Sequence, residues 1–163
     1  MSAMKNAQKT LFTTAFIYLV IGMLSGVFYR EVTKFKEFPV DNATQLSTLH
    51  THLLVLGFIV PLVVLALDKL YTLAGSKQFT WFFYLYNIGL VITLVMMTVR
   101  GWLQVLAGSP LEETPELSKG MDAGISGMAG IGHILLAVSL VLLMVRLGAR
   151  INTVQAQTKQ VNA

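Results

Sequence analysis

The sequence predicts an all-α protein, a four-transmembrane-helix bundle forming one integral membrane domain over residues 1–163, with both termini cytoplasmic. Three observations predict it. The 163 residues are 55% hydrophobic and only 12% charged, with a mean hydropathy of +0.67, where a soluble domain carries about a quarter charged residues. Four apolar runs, residues 10–29, 46–67, 79–106 and 125–145, are each near or above the ~20 residues a helix needs to cross ~30 Å of hydrocarbon. The runs are apolar all round, whereas a soluble bundle would keep polar outer faces.

Residues 1–9 are a polar start carrying Lys5 and Lys9. The run that follows is too long for the apolar region of a signal peptide. Phe28, Tyr29, Arg30 and Glu31 follow it in place of a small-residue cleavage site, so it reads as a retained helix ending in an aromatic and a cation at the interface. Residues 31–45 form a loop with Pro39 and Asp41-Asn42, after which Ser47 or Thr48 can cap the second helix. Pro61 lies inside that helix and cannot donate to the Gly57 carbonyl, so a mild kink is expected. A short turn, Asp68 to Gln78, leads to a third helix that starts in the aromatic cluster Trp81, Phe82, Phe83, Tyr84 and Tyr86 and ends near Arg100-Gly101-Trp102. A loop over residues 108–121 with Pro110, Pro115 and three glutamates precedes a fourth helix rich in small residues: Gly124, Ser126, Gly127, Ala129, Gly130 and Gly132. Such spacing lets helices pack closely in lipid, and it also suits a flat macrocycle lying against a glycine face. The tail after Arg150 is polar and reads as loose.

The net charge of +4 is a topology signal rather than a sign of nucleic-acid binding. With the N-terminus inside, the inner side holds Lys5, Lys9, Lys69, Lys77, Arg146, Arg150 and Lys159, and the outer side holds Arg30, Lys34, Lys36, Arg100 and Lys119. Seven cations inside against five outside favour this orientation. The chain has no cysteine, which excludes disulfides, thiolate haem ligation and iron–sulfur clusters.

Against this apolar background stand three histidines, His50, His52 and His133. An ionisable side chain at membrane depth is costly and marks a functional site by default. Imidazole is also the common axial ligand of haem iron. His52 is sixteen residues from Asp68, ~24 Å along a helix, and His133 is thirteen from Arg146, ~20 Å. With His50 at ~27 Å, all three fall in the outer half. Arg30 and Arg100 end the first and third helices on that side. Imidazoles for iron and guanidinium groups for two propionates are the set a haem wants. The alternatives are hydrogen bonding to a neighbouring helix for each histidine and interfacial anchoring for each arginine. His50 and His52 point ~200° apart on one helix and serve different partners. Gly57 leaves room for a ring edge below His50, and Gly130 stands beside His133. Met96 and Met97 are thioethers whose ordinary role is packing.

The motifs Tyr29-Arg30-Glu31, His50-Thr51-His52-Leu53, Tyr86-Asn87, Arg100-Gly101 and Gly130-Ile131-Gly132-His133-Ile134 resemble a family of small bacterial four-helix membrane proteins of unknown function. The resemblance covers most of the chain and implies a multi-pass protein of the bacterial cytoplasmic (inner) membrane. More distantly, His50-Thr51-His52 on the second of four helices is similar to a four-helix module of the haem–copper oxidase and nitric oxide reductase core subunit. That similarity implies haem binding and suggests a homotrimer imitating the twelve-helix core, with one haem between His50 of one protomer and His52 of the next. The competing arrangement sets His50 or His52 opposite His133 within one protomer. The chain has no His-His pair for copper and no Tyr–His cross-link pattern, so a redox carrier is expected rather than a gas-reducing oxidase.

The expected function is thus a membrane cytochrome b: haem b held without covalent attachment, bis-histidine iron near the outer face, and electron transfer, with quinol or a respiratory protein as redox partner. The ligands are drawn from His50, His52 and His133, with Arg30, Arg100, Gly57 and Gly130 lining the site. The alternatives are a haem or gas sensor, a haem-handling accessory of respiratory enzymes, a structural assembly factor, and a copper or zinc transporter on the same three histidines. Transport is disfavoured because the inner half offers only Thr13, Thr14, Tyr18 and Asn87 along a path.

Overall fold

The computed structural model describes residues 6–111 and 118–161. Among these the chain is all-helical. The four helices are α1 (Ala7–Phe35), α2 (Leu46–Tyr71), α3 (Lys77–Gly108) and α4 (Lys119–Val161), each long and apolar enough to cross a membrane. α1 packs along α2 and α3 along α4, and α2 joins the two pairs by touching both α3 and α4. The core between them is built from Leu11, Leu46, Leu53, Val64, Phe79, Phe82, Tyr86, Leu90, Val105, Leu136 and Leu143. Phe12, Phe16, Met23, Leu24, Val141 and Met144 face outward in the open, as lipid-facing positions do when every backbone polar group is satisfied inside a helix.

Glycine sets the closest approach. A Cβ on Gly132 would come 2.9 Å from the Gly89 carbonyl oxygen, and one on Gly89 would come 2.8 Å from that of Gly132. The α3–α4 crossing therefore runs backbone to backbone. Gly124, Gly127 and Gly130 have nothing within 4 Å of such a Cβ. The small residues of α4 thus divide into a packing side and an open side.

The end of the bundle opposite the histidines is closed by hydrogen bonds. Asp68 is buried; it accepts from the Ala74 amide (2.7 Å) and from Gln8 Nε2 (3.3 Å). Ser76 caps α3 by accepting from the Phe79 amide at 3.1 Å. Arg146 and Arg150 of α4 donate to the Leu73 and Tyr71 carbonyls at 3.3 and 2.8 Å. The segment after Arg150, expected to be loose, continues as helix to Val161. It contains neither glycine nor proline beyond Gly148 to stop it.

At the histidine end, α2 starts at Leu46 rather than behind a Ser47 or Thr48 cap. Gln45 occupies the N-cap position without a side-chain cap bond, and Thr44, one residue earlier, ties the helix start to α3. Its hydroxyl accepts from the Leu46 amide (3.3 Å) and donates to the Gly101 carbonyl (2.9 Å). Just ahead of Pro61, where a mild kink is expected, α2 contains a π-helical stretch, Leu53–Ile59, between the α-helical Leu46–His52 and Val60–Tyr71. The Val60 amide bonds back to the Val55 carbonyl, five residues earlier. The next bond in that register would run from residue 61 to Leu56, and proline has no N–H to make it. The buried Tyr86 of α3 supplies the missing donor: its hydroxyl donates to the Leu56 carbonyl at 2.8 Å.

Candidate functional site

His52 ends the α-helical part of α2, directly before the π-helical stretch. Its ring Nδ1 lies 3.0 Å from the Thr48 carbonyl oxygen. A carbonyl only accepts, so Nδ1 carries the proton, and in the neutral ring Nε2 presents a lone pair. His133, on α4, repeats the arrangement with Nδ1 2.8 Å from the Ala129 carbonyl oxygen. A carbonyl behind the ring fixes its tautomer and orientation, as seen behind metal-bound histidines.

Both rings line one cleft of about 360 Å³ between α2, α3 and α4, together with Gln45, Met96, Met97, Arg100, Ile125, Ser126, Ala129 and Gly130. Its volume is at the lower end of small-molecule sites, roughly 300–1,000 Å³. Met97 and Ile125 are buried in the wall, and Gly130 leaves its side open.

Arg100 stands at one edge of the cleft. Its Nη2 is 2.7 Å from Asp122 Oδ1, its Nη1 donates to the Ser126 hydroxyl at 3.3 Å, and its Nε is buried without a hydrogen-bond partner. It also lines a second cavity, of about 540 Å³, which holds Asp122, Asn42, Gln104 and Phe38. Gln104 is held in place there, its Oε1 accepting from the Gln45 amide at 2.8 Å.

The other sequence-derived candidates lie elsewhere. His50 points toward α1: a Cβ on Gly26 would be 3.9 Å from the His50 Cβ. Its Nε2 is 3.4 Å from the Thr51 hydroxyl, and its Nδ1 is buried without a partner. The two-residue spacing that separates His50 from His52 around the helix thus divides them between α1 and the cleft. Arg30 is 79% exposed, 3.9 Å from Glu31, and does not line the cleft. The room left by Gly57 is taken by the Tyr18 ring, whose Cγ would lie 2.5 Å from an added Cβ. Among the described residues no three or more of His, Cys, Asp and Glu gather as a metal site, so the three histidines do not form one donor set. Asp122, Ser126 and Gln45 were not among the candidates. The signal for the first two was the pairing of a lone acid in the opening turn of α4 with a hydroxyl four residues on, opposite Arg100, which lies about two turns before the end of α3 rather than at it.

No curated protein and no solved structure matches the chain. A family described as "Protein of unknown function" matches residues 8–150, and on that match the chain, four apolar helices with two histidines turned into one cleft, belongs to the DUF2871 family.

Proposed function

We propose that the protein is a membrane cytochrome b that holds haem b non-covalently in the cleft between α2, α3 and α4. The observation that carries this reading is the pair His52 and His133. Both are set on separate helices, both are tied through Nδ1 to the carbonyl four residues back, and both line one cleft beside a guanidinium. The donor chemistry fits the group. Two oriented imidazoles would hold the iron, Arg100 would face its carboxylates, and the open side of Gly130 would admit a flat ring. When bound, such a group supplies a one-electron couple. Thr48 and Ala129 keep the two rings in one tautomer, and Met96, Met97 and Ile125 make the wall apolar and limit water. Iron held by both imidazoles would pass electrons rather than take up a gas, which favours electron transfer over gas reduction. Both termini in the cytoplasm, the inner-membrane location, a homotrimer, quinol or a respiratory protein as redox partner, and the likeness to a haem–copper oxidase module belong to the same reading and rest on the sequence motifs and charges.

A second reading has its own support. Met96 and Met97 share the cleft with His52 and His133, and thioether with imidazole is a donor set suited to copper(I). A single ion asks for less room than a ring. Absorption spectra of the purified protein, oxidised and reduced, with metal analysis, separate the two. Low-spin haem bands that vanish in His52→Ala and His133→Ala support the cytochrome, and stoichiometric copper without haem supports the second reading. A protein that takes up neither defeats both. Carbon monoxide added to the reduced haem form should leave the spectrum unchanged. A rapid, complete change means an open iron site and promotes the sensor reading.

A further inference from the structure

Arg100 belongs to two spaces at once. Its Nη1 reaches the Ser126 hydroxyl on the cleft side, and its Nη2 reaches Asp122, which lines the second cavity. The guanidinium charge facing the cleft is therefore already matched by a carboxylate 2.7 Å away. Yet the match is incomplete: of the five N–H donors of the group, the one on Nε is buried without a partner. A buried unpartnered donor in a native protein calls for an explanation, and a ligand acceptor is one. The second cavity offers the displaced Asp122 a polar landing place. The Gln104 amide is fixed through its oxygen, so its N–H groups remain to donate, and Asn42 lies on the same wall.

We propose that Arg100 is the carboxylate receptor of the histidine cleft and Asp122 its built-in competitor, so that a carboxylate-bearing ligand takes the guanidinium only by turning Asp122 out into the second cavity. The proposal rests on the haem reading and specifies how the ligand's acid groups are recognised. It makes an acidic residue an antagonist of binding. Removing Asp122 strengthens the hold on a ligand with free carboxylates and leaves a ligand without them unaffected. With the two side chains 31% and 43% exposed, the competition has the strength of a partly exposed pair, about a two- to fivefold change in affinity.

The test uses the full-length protein in detergent and two probes, hemin and hemin dimethyl ester, whose propionates are esterified. Asp122→Asn should bind hemin about two- to fivefold more tightly than the wild type, with the ester unchanged. Asp122→Glu, which keeps the competing charge, should stay near the wild type. Arg100→Gln should abolish the preference for hemin over the ester, and adding Asp122→Asn to it should change nothing further. Equal hemin affinity in the wild type and Asp122→Asn overturns the competition while leaving the cytochrome standing. Equal tightening for both probes also overturns it, because the cause is then a loosened cleft rather than a freed charge. Failure of every variant to bind either probe fells the haem reading and this proposal with it. Circular dichroism of Asp122→Asn guards against misfolding, and the ester arm, measured on the same protein, reads independently of the charge.

Discussion

Tyr86→Phe should destabilise the bundle through a carbonyl on another helix. The Tyr86 hydroxyl donates to the Leu56 carbonyl at 2.8 Å, and the residue is 2% exposed. Removing the hydroxyl leaves that oxygen buried without this donor, a loss of ~1–3 kcal/mol in a water-soluble core. Hydrogen bonds within membrane bundles average nearer ~0.6 kcal/mol, which puts the expected loss at about 1–2 kcal/mol. The cause assigned to it is the N–H that Pro61 lacks, and this is separately testable. Pro61→Ala restores the donor. Whether α2 keeps its π-helical register or relaxes to α, the Leu56 carbonyl then gains a backbone partner. Tyr86→Phe should therefore cost less in the Pro61→Ala background, with a coupling of about 0.5–1 kcal/mol. The assay is reversible unfolding in mixed micelles followed by far-ultraviolet circular dichroism, with all four members of the cycle. Additive single effects would refute the argument that tyrosine replaces the proline's missing donor.

Gly132→Ala should destabilise the protein by about 1–3 kcal/mol by forcing α3 and α4 apart, while Gly127→Ala, on the open side of α4, should be neutral or stabilise by up to ~1 kcal/mol through helix propensity; thermal unfolding of the two variants compares them directly. His50→Ala should retain bound haem while His52→Ala and His133→Ala lose it, read from the Soret absorbance per protein, and loss in His50→Ala and His52→Ala with retention in His133→Ala would instead favour a haem shared between protomers. Reporter fusions at Ala163 and within the loop before Lys119 should place the first in the cytoplasm and the second outside; the reverse result moves the cleft to the inner half of the membrane.

The four helices were legible because membrane spans are written in length and hydropathy, and Leu46 begins α2 where the apolar run begins. Their ends were less so. The last turns of α1 and most of α4 after Val145 are polar, and a hydropathy pattern falls silent once a helix leaves the apolar zone, although nothing in the backbone stops it. The separation of His50 from His52 followed from helical spacing alone. Which of them faces His133 did not. The direction of His52 depends on the π-helical stretch just after it, where each residue of altered register turns one half of the helix by ~100° against the other. That stretch involves Pro61 and a tyrosine of another helix, and no local pattern announces a partner so distant. Gly57 illustrates the same limit. A glycine in an apolar helix signals close approach, but the sequence does not say whether Tyr18 or a ligand approaches.

The length of α4 has a mechanical consequence. Its 43 residues span roughly 64 Å at helical rise, about twice the hydrocarbon thickness. The final turns, from Ile151 onward, are mostly exposed, with only Ile151 and Val154 half-buried among residues 151–160. A polar peptide of that size would be largely unstructured by itself, because the first turn of a helix is costly to start. Here the start is inherited from the embedded part of the same helix, which Arg146 and Arg150 pin to the α2–α3 turn. The segment is thus a stalk whose stiffness is borrowed. Anything tethered near Val161 is held at a set height above the surface, and a single helix-breaking insertion just beyond Arg150 would turn the stalk into a string without touching the bundle.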